Sequence, residues 1–438
     1  MSNYTATSAA SAAVFSARYR YLMVSALHLL LLAALTSALY AFGVIRVLPA
    51  ATNLLQWDVM WYEQIRAGGY AYSATETSNA AFFPLLPYLW RFTGLGLLGM
   101  SLLNATLFLV SFTGLAQLLR LPARLHLLLL STPVLLFMIV PYTEALFFFF
   151  GTLLLVGLRR RQLLWWVVGL LGCGLTRSAS AVLTPGLLFM VVLWALQPGQ
   201  LRTALTWGLT GLLALAAAVG TVAFMQWKQT GEPWGFVLAQ KHWGHHLTPV
   251  RFPLNDPSGV DMLWLDSAGL WLGAVAIAVC SWLAWRELMQ LRQRQAPSAM
   301  PPEVVFALGY CVCAGLFVLL FQGGSIWNQS RYMLATPFSV VLAGQLAQQP
   351  SWPWHRYGLI AAATMGLWQV FGIYNHGFAN FTTPEALWYF GLVTAYVLAY
   401  LAWRQLRWQR EITMLLYVFN LVMLLHLLEC WLQGYVVQ

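Results

Sequence analysis

Long apolar runs broken by short polar segments dominate this chain, and they recur at the length a helix needs to cross a bilayer, roughly 17 to 25 residues. The first, Tyr21–Val44, is too long and lacks the small-residue cleavage site of a removed signal peptide, so it predicts a retained helix. Further runs fall at Leu97–Leu119, Leu125–Val140, Ala145–Leu158, Leu163–Leu175, Ala179–Leu196 and Leu205–Trp227. Others follow at Ala268–Trp285, Val304–Phe321, Met333–Leu346, Leu359–Tyr374, Leu387–Trp403 and Ile412–Leu432. The pattern predicts an all-α polytopic membrane protein of about 13 transmembrane helices. Residues 1–20, rich in Ser, Ala and Thr, predict a disordered cytoplasmic tail, and residues 21–438 a single transmembrane domain.

Composition excludes a soluble globular protein: 60% of residues are hydrophobic and 8% charged, where soluble domains carry about 25% charge. With residue 1 in the cytoplasm, alternate loops on that side collect 15 of the 23 Lys and Arg against three of the 13 acids. The other side keeps eight basic and ten acidic residues. The formal charge of +10 is therefore a topology signal of the positive-inside kind, and no nucleic-acid partner is implied. The five cysteines, Cys173, Cys280, Cys311, Cys313 and Cys430, all fall within predicted spans, where small apolar core residues are expected.

Polar and aromatic residues concentrate on the outer side, in the loops at 46–96 and 228–267. Within the first loop, Trp57–Tyr70 reads as a helix ended by Gly68-Gly69. Asp58, Tyr62 and Ile65, spaced by four and three, share one face, while Trp57 and Trp61 share a neighbouring one, as in a helix lying at the membrane interface. A carboxylate framed by aromatics at a membrane edge points to a site; an aromatic belt with Asp58 merely solvated is the alternative.

Four short motifs then line up. Gln56-Trp57-Asp58 through Gly68-Gly69-Tyr70, with Ala81-Phe82-Phe83-Pro84-Leu85-Leu86-Pro87 and Arg91, resembles the first outer loop of the PIG-V-like mannosyltransferases. Pro141-Tyr142-Thr143-Glu144-Ala145-Leu146-Phe147 resembles that family's PYTESLF turn, and Thr176-Arg177-Ser178-Ala179 its ARSNG turn. Ser330-Arg331-Tyr332 followed by Pro337 resembles its late SRY…P motif. The resemblance implies the membrane-embedded GT-C glycosyltransferase fold and an inverting mannosyl transfer from a polyprenyl-phosphate donor on the non-cytoplasmic face. It also implies an essential acid in the first outer loop, matched by Asp58. Ala179 stands where Asn is usual and the loops are compact, so a bacterial glycan or lipid acceptor, in an inner (plasma) membrane, fits at least as well as a GPI intermediate.

Such a transfer needs a base for the acceptor hydroxyl, positive charge for the departing phosphate and a grip on the lipid and sugar. Asp58 is the expected base, with Glu144 as second base, acceptor-binding group or helix-terminal acid. Arg331, Tyr332 and Arg177, followed by Lys241 and His242, are the expected phosphate contacts. Trp57, Trp61, Tyr62, His245 and His246 are candidate acceptor or sugar contacts. His242, His245 and His246 have the spacing of one helical face, which also suits zinc, although no fourth ligand is fixed and Gly244 weakens the helix. A divalent metal fits such chemistry, yet nothing in the sequence implies a cofactor. Asp256, Asp261 and Asp266 are expected to solvate their loop. Two rival readings are a transporter or flippase for a lipid or glycolipid, and a phosphate- or acyl-transferring enzyme using the histidines.

Overall fold

The computed structural model describes residues 2–178, 180–293, 300–349, 352–371, 381–402, 405 and 407–437, with the side chains of 2–18, 368 and 369 outside that description. The tail expected over residues 1–20 thus falls mostly outside the described side chains, as does Ala179 of the Thr176–Ala179 motif. Seven helices are long and apolar enough to cross a membrane: Tyr19–Ala41 (within the helix Ser2–Ala41), Leu97–Leu119, Leu201–Thr230, Val260–Arg292, Pro302–Phe321, Thr383–Ala402 and Gln409–Leu432. Each coincides with a predicted span, so the chain has the architecture of a multi-pass membrane protein.

The other six expected spans are shorter or broken. Leu163–Thr176 has 14 residues and Ser180–Ala195 has 16; at 1.5 Å per residue these reach about 21 and 24 Å, short of a hydrocarbon core of about 30 Å. Where Leu125–Val140 was expected, the chain runs through Ala123–Leu130, a 3₁₀ turn at Pro133–Leu135 and Leu136–Ile139. It then bends by 97° into Glu144–Arg160, and that bent pair counts as one further span at most. The Met333–Leu346 run divides into Gln329–Met333 and Pro337–Gln348, with Pro337 opening the second helix. Leu359–Tyr374 divides into Trp354–Met365 and Leu367–Phe371, its last residues lying outside the description.

The bundle closes on small residues, as packing between apolar helices requires. A Cβ added to Gly309 would lie 2.8 Å from the Cα of Gly186, so Ser180–Ala195 and Pro302–Phe321 cross backbone to backbone there. Among the described residues there is no strand, only an isolated bridge between Asn255 and Ser325. It belongs to a longer seam: the amides of Thr248, Arg251 and Asn255 donate to the carbonyls of Leu320, Gly323 and Gly324, and Ile326 donates back to Asn255. The seam lays the second outer loop alongside the segment leading into Gln329–Met333.

Candidate active site

Four short-range signals in the sequence bring four charged residues to one place. Asp58 opens the helix Asp58–Gly68, which ends where predicted: Gly69 takes φ 83, a left-handed conformation that glycine adopts without strain. Trp57 precedes this helix at φ 53 rather than sharing a face with Trp61. Glu144 opens Glu144–Arg160, so both acids lie in a first helical turn, where the helix dipole favours negative charge. Arg177 follows directly on Leu163–Thr176 in an extended conformation. Arg331 lies in the five-residue helix Gln329–Met333.

Arg331 is the hub. Its Nη2 donates to Asp58 Oδ2 at 2.9 Å, its Nε to Glu144 Oε1 at 2.8 Å, and its Nη1 to Asn328 Oδ1 at 3.1 Å. The guanidinium also lies 4.6 Å from the Tyr142 ring centroid and 5.2 Å from that of Phe137. Arg177 approaches Glu144 at 3.5 Å and stacks on Tyr332 at 4.4 Å. The nitrogen that makes this approach, Nη1, is buried and has no hydrogen-bond acceptor closer than that carboxylate among the described residues. Two acids thus balance two arginines in a low-dielectric pocket, where an unmatched charge would be costly. The neighbouring carboxylates hold the Arg331 guanidinium well above its ordinary pKa against the opposing effect of burial.

Exposure separates the two acids. The side chain of Glu144 is fully buried and that of Asp58 is 20% exposed. A cavity of about 160 Å³ opens beside the cluster, and Asp58, Tyr62, Arg177, Arg331, Tyr332 and His245 are among its lining residues, whereas Glu144 is not. The volume admits several waters or a small polar group. Tyr62, Phe82 and Trp243 form one aromatic wall, with Tyr62 edge-on to Phe82 at 5.4 Å, while Trp57 and Trp61 are not among the lining residues; Trp61 packs against the wall, stacked on Phe82 at 6.0 Å and edge-on to Trp243 at 5.1 Å.

The histidine segment departs from the expected helical face. Ala239–Trp243 is a 3₁₀ turn and Gly244 turns the chain at φ 77, so the three imidazoles do not share a face. His245 alone of them lines the cavity; Lys241 and His246 are exposed, and His242 is half-buried away from the lining. Gln240 donates through Nε2 to the carbonyls of Ala81 and Phe236, leaving its Oε1 as acceptor for His245 Nδ1 at 2.8 Å. That pattern assigns the proton to Nδ1 and leaves Nε2 an acceptor in the neutral ring. Burial lowers the His245 pKa below its ordinary 6.5, partly countered by the nearby Asp58 charge.

Supporting polar groups were the least visible in sequence. Asp256 and Asp266, expected in solvent, are completely buried; burial pushes the Asp256 carboxyl up to about 6. Asp266 accepts the amide of Ser330 at 2.6 Å and so anchors the helix that carries Arg331. Gly269, one turn along from Asp266, lets that helix approach: a Cβ there would lie 2.9 Å from Gln329 Cγ and 3.0 Å from its carbonyl oxygen. Asn104 donates to the carbonyls of Val140 and Tyr142 at 2.6 and 2.8 Å and fixes the bend before Glu144. Asn328, at φ 68, is a positive-φ residue of the type that tolerates it, which its place just before Gln329-Ser330-Arg331 could have signalled. Compared with known proteins, the chain matches no family model, no curated protein and no solved structure.

Proposed function

We propose that the chain is an inverting, membrane-embedded glycosyltransferase that moves a sugar, with mannose the expected one, from a polyprenyl phosphate to a hydroxyl of a lipid or glycan acceptor. The observation that carries this reading is the cavity itself, lined by both a part-exposed carboxylate, Asp58, and an arginine, Arg177, that stacks on Tyr332 and has Glu144 as its ion-pair partner at 3.5 Å. Asp58 takes the proton of the acceptor hydroxyl as its oxygen bonds to the anomeric carbon. The bond from that carbon to the phosphate oxygen breaks, and the polyprenyl phosphate leaves with the electron pair. Arg177 is better suited than Arg331 to receive that charge, because Arg331 already serves Asp58, Glu144 and Asn328. Arg331 instead holds Asp58 in place, and Glu144 holds both arginines. The neutral His245 ring offers an acceptor that orients the attacking hydroxyl, and the wall of Tyr62, Phe82 and Trp243 suits the apolar face of a sugar ring.

On this reading the site faces the non-cytoplasmic side of a bacterial-type inner membrane, as the charge asymmetry of the loops supports. The test is incubation of the detergent-purified protein with a panel of labelled polyprenyl-phosphate sugars and a membrane lipid extract, followed by identification of the labelled product. Transfer from one donor is expected; no transfer from any of them, with the label intact, counts against the proposal.

A further inference from the structure

Away from this cavity, the helices Val260–Arg292 and Gln409–Leu432 bring three metal-ligating side chains together. Asp261 lies in the first turn of one, while His426 and Cys430, four residues apart, stack on one face near the end of the other. His426 Nε2 is 3.4 Å from Asp261 Oδ2 and 3.8 Å from Cys430 Sγ. One ligand atom from each residue falls within 4.8 Å of both others. Asp261 and His426 are 49% and 45% exposed and Cys430 is half-buried, so the trio lies at the protein surface.

The two separations from His426 are too long for good hydrogen bonds but lie close to the edges of a coordination tetrahedron. Zinc–ligand bonds of about 2.0–2.1 Å to nitrogen, 2.0–2.2 Å to oxygen and 2.3 Å to sulfur give edges of about 3.4 Å between N and O and about 3.6 Å between N and S. A mixed imidazole, thiolate and carboxylate set is also chemically selective. Thiolate and imidazole favour zinc-class ions, whereas magnesium and calcium take oxygen ligands. An exposed His–Asp pair alone would contribute little to stability, and it gives no account of the thiol beside it.

We propose that Asp261, His426 and Cys430 bind one zinc-class divalent ion, with water at the fourth position, and that the ion clamps these two helices together. On binding, the Cys430 thiol gives its proton to solvent and the thiolate bonds to the metal. The clamp adds to a sparse junction. Trp264 meets Phe419 edge-on at 5.8 Å between the same helices, and beside it Glu429 accepts the amide of Arg46 at 3.0 Å, tying in the N-terminal segment.

The experiment uses the full chain in detergent, stripped with a chelator and titrated with Co²⁺ and then Zn²⁺. Expected are one metal per chain and a thiolate-to-cobalt charge-transfer band that disappears in Cys430→Ser. Loss of a ligand in His426→Gln or Asp261→Asn should weaken affinity by about tenfold or more, at least the effect of losing an outer-shell partner. Zinc should raise the unfolding midpoint of the native chain and not that of Cys430→Ser. Metal binding without the charge-transfer band, or equal affinity in the native chain and all three near-isosteric variants, would overturn the proposal.

Discussion

Glu144→Gln probes the charge balance of the cluster more sharply than any other single change. Glu144 is wholly buried, 2.7–2.8 Å from two nitrogens of Arg331 and 3.5 Å from Arg177. The amide keeps an acceptor for one arginine but removes the charge, leaving two buried cations against Asp58 alone. A charge-assisted hydrogen bond is worth about 1.5–3 kcal/mol, and leaving a buried charge unpaired raises the cost to about 3–5 kcal/mol. We predict a loss of about 3 kcal/mol for Glu144→Gln, since part of the hydrogen bonding survives. Adding Arg177→Met removes the surplus cation, so the double variant should be more stable than the sum of the single effects by about 1 kcal/mol or more. The cycle is measured by detergent-induced unfolding in mixed micelles, followed through tryptophan fluorescence. A Glu144→Gln variant within about 0.5 kcal/mol of the native chain, or strictly additive effects, would refute the argument from charge balance.

Other predictions follow from the same geometry. Gly269→Ala presses a methyl group against Gln329 and should destabilise by about 1–3 kcal/mol, while displacing Arg331 enough to lower transfer activity; unchanged unfolding and activity would show that the close approach does not matter. Arg177→Met should raise the dissociation constant for a sugar-free polyprenyl phosphate by about tenfold or more, read by competition with labelled donor; an unchanged constant assigns the phosphate elsewhere. His245 has its pKa depressed by burial, so the unfolded chain takes up the proton first as pH falls below about 6.5. Its contribution is fully present above that value and is lost progressively below it. Unfolding midpoints measured from pH 7.5 to 5.5 should therefore fall less steeply in His245→Gln than in the native chain, and parallel slopes would contradict this.

Much of the frame was legible in the sequence because it depends on local pattern. Seven long apolar runs become long helices, and Gly68-Gly69 ends the helix of Asp58 because glycine alone accepts the required φ without strain. The order of the short motifs was enough to single out Asp58, Glu144, Arg177 and Arg331, which the fold joins across as many as 273 positions. What the sequence hid depends on contacts distant in the chain. Nothing local distinguishes Asp266, buried beneath Ser330, from Asp261, half exposed nearby. Nothing local shows that Glu144 is sealed off while Asp58 reaches the cavity. The histidine spacing misled because a 3₁₀ turn and Gly244 replaced the helix on which that spacing would have converged. The cysteine at 430 read as a core residue because the carboxylate near it, Asp261, comes from the start of another helix.

The central claim is that Asp58 acts as the base in transfer from a polyprenyl phosphate. Single-turnover transfer of labelled mannose from its polyprenyl phosphate, compared between the native chain and Asp58→Asn at equal folded protein, addresses it directly. The account predicts a fall in rate of about 10²–10⁴-fold with donor binding retained. A rate within about twofold of the native chain's, far inside that range, would contradict it.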